Sequence, residues 1–258
     1  MLLVADVGNT ETTLGLADGD RIVEHWRVTT EASRTPDEMH LLLHNLLAAA
    51  GRSGVKLTGA AIGSVVPGVT TALAEAAARL SGVTAIIVDA RSPLGITLAV
   101  DEPMTVGADR IINTLAASRM YRSDCIVVDL GTATTYDCIT KDGVFLGGVI
   151  QPGVRSSAET LFRRTAKLTA TELEAPQKVI GTRTEECIRA GVVFGAADSV
   201  TGIVGRITAA WPGGGKPKVI ATGGLAAVIQ AHCPVIELVE PDLTLQGLRM
   251  AHEMLSTR

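Results

Sequence analysis

Three carboxylates, each set in a turn, are the residues of this chain best placed to do chemistry. Asp6 ends the apolar run Leu2-Leu-Val-Ala and opens Asp6-Val7-Gly8-Asn9-Thr10-Glu11-Thr12-Thr13. A turn so rich in backbone N–H and hydroxyl groups can cradle phosphate oxygens, because these donors add little bulk. The adjoining carboxylate suits Mg2+, which takes oxygen ligands and keeps part of its water shell. Asp129 closes a second apolar run, Cys125-Ile-Val-Val, and opens Asp129-Leu-Gly-Thr132-Ala-Thr-Thr. Asp6 and Gly8 align with Asp129 and Gly131 at one offset, and Thr12 with Thr135. The following Asp18-Gly19 and Asp142-Gly143 pairs need a shift of one residue. An ordinary hairpin explains one copy. Two copies point to duplicated halves that grip a triphosphate and its cation.

The third carboxylate lies in Gly107-Ala108-Asp109-Arg110, ahead of a helical stripe of Ile111, Ile112, Leu115, Ala116 and Met120. Asp109 therefore stands near a helix start, where the dipole favours its ionised form. It could accept a proton from a hydroxyl attacking phosphorus, while Arg110 could bind a carboxylate bidentately. Taken alone, the pair reads better as a capped helix with a local ion pair. Ala221-Thr-Gly223-Gly224-Leu-Ala follows a short apolar strand, and its glycines would let a nucleoside lie close to backbone. A plain strand-to-helix turn explains that motif in isolation; two phosphate-type hairpins upstream favour adenosine.

The elements that must position these residues follow from pattern. Leu2–Ala5, Glu11–Leu16 and Arg21–Thr29 read as antiparallel strands joined by Gly/Asn and Asp-Gly turns. Thr35-Pro-Asp-Glu opens a helix with Met39, Leu42, Leu43, Leu46 and Leu47 at helical spacing. A strand at Gly59–Val65, a helix at Thr70–Leu80 and a strand at Ala85–Val88 continue a βαβ arrangement. Ser92–Val106 reads as a loop-rich connection. The plan repeats with strands at Cys125–Asp129, Thr134–Ile139 and Gly143–Ile150, a helical region from Gly153, and a mostly helical Gly181–Ala210. Trp211-Pro-Gly-Gly-Gly reads as a flexible breaker, and Leu243–Leu255 as a final helix.

Composition narrows the function. Apolar residues make up 47% of 258, enough for a sizeable core. The net charge of -4 with scattered basic residues, and 3% aromatics, argue against a nucleic-acid partner. Cys125, Cys138, Cys187 and Cys233 are far apart, so neither a zinc site nor a disulfide framework is expected. The five histidines form no metal-type set. The opening residues lack a basic region and meet an acid at position 6, unlike a signal peptide. No apolar run approaches the ~18 residues of a membrane span. The expectation is a cytoplasmic protein without a membrane partner.

In this order and spacing the motifs closely resemble type III pantothenate kinase, of the acetate and sugar kinase / chaperone / actin superfamily. The resemblance rests on Asp6-Val-Gly-Asn-Thr, Thr35-Pro-Asp-Glu, Val106-Gly-Ala-Asp-Arg-Ile, Asp129-Leu-Gly-Thr-Ala-Thr, Gly147-Gly-Val-Ile-Gln-Pro-Gly, Ile180-Gly-Thr-Arg-Thr, Ala221-Thr-Gly-Gly-Leu-Ala and Leu243-Thr-Leu-Gln-Gly-Leu. It covers essentially the whole chain. It implies an α/β fold of two ribonuclease H-like (actin-like ATPase) domains, each a mixed sheet flanked by helices, with a cleft between them. The division expected is 1–118, with the first hairpin and Asp109, and 119–258, with the second hairpin, the adenosine motif and dimer helices.

The implied activity is ATP-dependent phosphorylation of pantothenate to 4'-phosphopantothenate, the first step of coenzyme A biosynthesis. Asp6 to Thr13 and Thr132 would then contact ATP phosphates, with Gly223 and Gly224 at the adenosine. Asp109 would be the catalytic base, and Gly107, Ala108 and Arg110 would line the pantothenate site. Asp129 would hold a monovalent cation, K+ or NH4+, besides Mg2+ at Asp6. Thr184 would reach the substrate of a neighbouring subunit, implying a homodimer whose substrate site is completed across the interface. One departure concerns Val100, which stands three residues before Pro103 where the family has Tyr. It removes an aromatic or hydroxyl contact and leaves open a different small hydroxy acid as acceptor. A non-catalytic nucleotide-binding regulator is the other alternative, against which the intact Asp6, Asp109 and Asp129 set speaks.

Overall fold

The computed structural model describes residues 1–164 and 172–256. Its first stretch runs β1 (Leu2–Val7), β2 (Glu11–Asp18), β3 (Arg21–Thr29), α1 (Pro36–Ala49), β4 (Gly59–Ser64) and α2 (Pro67–Ser81). β5 (Ile86–Val88), β6 (Thr97–Leu98) and α3 (Ala108–Tyr121) follow. The chain continues with β7 (Cys125–Leu130), β8 (Ala133–Ile139), β9 (Val144–Pro152), α4 (Val154–Arg164) and α5 (Thr184–Ala209). It closes with β10 (Lys218–Thr222), α6 (Ala226–Gln230), β11 (Leu238–Val239) and α7 (Leu243–Ser256). Two compact units result. One comprises Met1–Met120, Gly143–Phe145 and Asp242–Arg258; the other comprises Tyr121–Asp142 and Leu146–Pro241.

In the first unit the strand order is β3-β2-β1-β4-β5. β1 is antiparallel to β2 and parallel to β4, which is parallel to β5. Alternation along β1 divides its residues between two cores. Leu3, Ala5 and Val7 pack with Met39, Leu43 and Leu47 of α1 and Leu73, Ala76 and Ala77 of α2. Leu2 and Val4 pack with Ile111, Ile112 and Leu115 of α3 and Leu245, Leu248 and Ala251 of α7. Asp6 continues the second set. Burying each Leu or Ile contributes about 2 kcal/mol.

The second sheet repeats the order as β9-β8-β7-β10-β11, with β6 added as a sixth strand beside β9. β7 is again antiparallel to its hairpin partner β8 and parallel to β10, which is parallel to β11. Two sheets that share this strand order, each flanked by helices, match the duplicated halves that the hairpins pointed to.

Local chemistry explains the starts and stops. Thr35 caps α1 in a capping box: the Glu38 N–H donates to Thr35 Oγ1 at 3.3 Å, and the Thr35 N–H donates to the Glu38 carboxylate at 2.8 Å. That backbone bond holds the Glu38 carboxyl below its usual range. Gly82 ends α2 in the left-handed conformation at φ 74.

Four expectations need correction. α7 belongs with the first unit, although the sequence division put residues 119–258 together; its apolar face packs against Val4 and Ala61, which no local pattern reveals. α2 begins at Pro67 rather than Thr70, because proline suits a first helical turn. Trp211 is an anchor and not part of a flexible breaker: it is buried, and its Nε1 donates to Asp124 Oδ2 at 2.9 Å. α5 is long and apolar enough by length and composition to cross a membrane, although no unbroken apolar run spans it. Its Ile188, Val193, Ala197, Val200 and Val204 are buried in the second unit.

Candidate active site

In the first unit, β1 carries Asp6 to the end of the sheet, half-buried, opposite Thr13 on β2 and Gly63 on β4. Register thus makes Thr13 the rung partner of Asp6. The Gly8 N–H donates to the Glu11 carbonyl at 3.0 Å, leaving Asn9 and Thr10 as the exposed tip. Gly63 is small for a reason. A Cβ there would collide with Ile112 Cδ1 and stand 3.7 Å from the Ala108 Cβ, so the start of α3 lies against this rung. The structure therefore brings Asp6 and the Gly107–Arg110 segment to one end of one sheet face.

Asp109 is the second residue of α3. A Cβ on Gly107 would collide with Asp109 Oδ1, so the carboxylate lies back against the Gly107 backbone, and a larger residue there would turn it away. The Arg110 guanidinium centre lies 5.0 Å from the centroid of the Phe145 ring, which is itself buried. Phe145 arrives there because β6 pairs in parallel with Val144–Phe145. The Ala99 N–H donates to the Phe145 carbonyl at 2.9 Å, holding the neighbouring Val100 beside the same strand. The expected loop of residues 92–106 thus contains a short strand, Thr97–Leu98, that is anchored on Val144–Phe145. Sequence reasoning passed over Phe145; the only signal was one of three phenylalanines at the start of a strand.

In the second unit, Asp129 is the penultimate residue of β7, opposite Thr135 on β8 and Thr222 on β10. Side chains on one rung share a face. Asp129 is therefore flanked by two hydroxyl residues, a set of hard oxygen donors that fits a cation. Gly223 adopts φ +92, and a Cβ on it would stand 2.7 Å from Asp129 Oδ1. The glycine motif and Asp129 are thus one assembly. Here the turn is shorter, with the Gly131 N–H donating to the Ala133 carbonyl at 3.1 Å and Thr132 alone at its tip. Thr13 and Thr135 are therefore the equivalent residues, and the alignment of Thr12 with Thr135 is corrected: the length difference lies inside the turn.

Gly153 meets this turn so closely that a Cβ would collide with the Thr132 carbonyl oxygen and stand 2.5 Å from that of Gly131. Ser156 Oγ, in the first turn of α4, donates to the Thr132 carbonyl at 2.7 Å. Gly153 closes the Gly147-Gly-Val-Ile-Gln-Pro-Gly motif, whereas Ser156 lies outside every motif of the sequence reading. Asp137, fully buried on β8 opposite Val127, lies on the same face as Asp129. Its signal was an acid inside an apolar strand.

Thr184 is exposed at the start of α5, apart from the Asp129 turn in sequence and fold element. The Glu186 carboxylate fixes that helix start by accepting the Thr182 N–H at 2.9 Å, which holds its carboxyl below the usual range. Thr184 lines a groove of about 720 Å³ between α4 and α5, together with Val154, Leu161, Ile188, Gly191 and Val192. Among the described residues no three His, Cys, Asp or Glu side chains gather as a metal cluster. A hydrated Mg2+ held by one carboxylate and by phosphates needs no such cluster.

The duplicated sheet, with an acid at the end of each first strand, defines the actin-like ATPase class of fold. Solved structures share it. The activator of the 2-hydroxyisocaproyl-CoA dehydratase from Clostridium difficile, with bound ADPNP, matches with a TM-score of 0.56 and 12% identity, covering 100% of this chain and 97% of its own. Component A of the (R)-2-hydroxyglutaryl-CoA dehydratase from Acidaminococcus fermentans matches with a TM-score of 0.52 and 16% identity, over 97% and 95%. Both likenesses concern the fold.

Sequence comparison gives the family. The model of type III pantothenate kinase matches residues 2–206. A type III pantothenate kinase of Roseiflexus castenholzii is 46% identical over 98% of this chain and 99% of its own length. Another, of Streptomyces avermitilis, is 46% identical over 98% of each. The chain belongs to the type III pantothenate kinase family.

Proposed function

We propose that this chain is the kinase that transfers the γ-phosphoryl group of ATP to the primary hydroxyl of pantothenate, initiating coenzyme A biosynthesis in the cytoplasm. Family membership supports it, and the observation that carries it for these residues is the seating of α3 against the Asp6 rung. The hydroxyl oxygen attacks phosphorus, the bond to the ADP leaving oxygen breaks, and the Asp109 carboxylate accepts the hydroxyl proton. Arg110, braced by Phe145, holds the pantothenate carboxylate, with Gly107, Ala108 and Val100 around it. The Asp6–Thr13 hairpin and Thr132 contact phosphates, and Gly223 and Gly224 flank the adenosine. When bound, Mg2+ near Asp6 offsets phosphate charge. Asp129, with Thr135 and Thr222, seats the monovalent cation, K+ or NH4+.

The same reading makes the enzyme a homodimer in which Thr184 serves the partner's substrate. The groove beside α5 and the exposed Ile150 and Leu161 support an apolar contact with a second copy. Val100 favours a second reading, a kinase for another small hydroxy acid.

A coupled ADP-release assay with Mg-ATP, K+ and pantothenate tests both readings. Pantothenate-dependent turnover is expected, and Asp109→Asn should lower kcat about 10³-fold with MgATP affinity retained. Turnover only with other hydroxy acids would select the second reading. No acceptor-dependent turnover would refute both.

A further inference from the structure

Thr30 follows the last residue of β3, and three of its hydrogen bonds end on the Asp6 hairpin. Its Oγ1 donates to the Gly8 carbonyl at 2.8 Å. The Thr12 and Thr30 Oγ1 atoms lie 2.9 Å apart. Its backbone N–H donates to the Thr10 carbonyl at 2.9 Å. A hydroxyl has one hydrogen, so with Thr30 committed to Gly8, Thr12 is the donor between the two threonines.

Register decides which way the turn then faces. Val7 pairs with Thr12, and Thr12 with Val28, two residues before Thr30. Val7, Thr12 and Thr30 therefore share one face, the one covered by α1 and α2. Asp6 points to the opposite face, that of α3. In a planar trans peptide the carbonyl of one residue and the N–H of the next point in opposite directions. A Gly8 carbonyl drawn toward Thr30 thus turns the Asn9 N–H toward the side that carries Asp6.

We propose that Thr30 is a positioning residue for nucleotide binding: by holding the Gly8 carbonyl on the α1/α2 face, it presents the Asn9 N–H to a phosphate on the Asp6 side. Without the tether, the Gly8–Asn9 peptide is free to rotate and offer a carbonyl oxygen, which repels phosphate. This role rests on reading the Asp6 hairpin as the phosphate grip. It differs from a brace of the sheet, whose loss would affect stability and both substrates alike.

The test uses the full chain. Thr30→Val keeps the shape and removes the hydroxyl; Thr30→Ser keeps the hydroxyl. MgATP affinity is measured by calorimetry, the KM values for ATP and pantothenate by ADP release, and folding by thermal melting. Thr30→Val should weaken MgATP binding and raise the KM for ATP about tenfold, near the worth of one oriented hydrogen bond. The KM for pantothenate should stay within about twofold, and Thr30→Ser should restore ATP binding. Unchanged MgATP affinity in Thr30→Val would overturn the proposal. So would a parallel rise in both KM values with a lower melting temperature that Thr30→Ser does not restore. A parent protein that binds MgATP but leaves pantothenate unphosphorylated would refute the pantothenate kinase reading, while calorimetry still decides the role of Thr30. A parent protein that does not bind MgATP would overturn both.

Discussion

The hairpins at Asp6 and Asp129 sit at the same place in the same strand order, yet their surroundings differ at three points. The first lies on the rung. Asp6 has Thr13 and Gly63 beside it, whereas Asp129 has Thr135 and Thr222. Gly63 leaves room for Ile112 and Ala108, and so brings in the helix that carries Asp109. Thr222 instead places a second hydroxyl residue beside Asp129. The second difference is in the tip, which has Asn9 and Thr10 in one copy and only Thr132 in the other. The third is the brace that follows the third strand. Thr30 holds the first turn with one side chain and one N–H, while Gly153 and Ser156 hold the second with a helix start pressed against it. A common sheet fixes where the two acids stand, and the residue on the next strand decides what each acid has for company.

That comparison can be broken at its rungs. Gly63→Val should have the largest effect: its side chain would occupy the space of Ile112, costing about 1–3 kcal/mol of stability. Turnover should fall with it, because the start of α3 is displaced. An unchanged melting temperature and kcat would show that Gly63 does not set the position of Asp109. Thr222→Val is the milder counterpart. It conserves shape, so the melting temperature should hold, while the KCl concentration giving half-maximal turnover rises about tenfold. An unaltered KCl response would remove Thr222 from the proposed cation seat.

Much of the fold was legible because its signals are local. The Thr35–Glu38 capping box, Gly82 beyond α2 and the two strand-Asp-Gly hairpins each depend on residues a few positions apart. Asp109 was readable as a helix-start acid for the same reason. What was not legible depends on register between distant strands. Gly63 and Thr222 acquire meaning only when β4 and β10 are laid beside β1 and β7. Thr30, Gly153 and Phe145 act through single contacts across the sheet or its edge. α7 joined the first unit through packing with β1 and β4, and Trp211 was fixed by Asp124, far away in sequence.

In the proposed kinase the duplicated acids have diverged, Asp6 toward phosphate and Asp129 toward a monovalent cation. The most direct measurement is a KCl titration of pantothenate-dependent ADP release at saturating Mg-ATP, on the parent enzyme, Asp129→Asn and Asp6→Asn. Asp129→Asn should turn over near the K+-free level of the parent and no longer respond to KCl. Asp6→Asn should be slower, yet its residual turnover should still rise with KCl as the parent's does. K+ activation that survives in Asp129→Asn and disappears in Asp6→Asn would contradict that divergence.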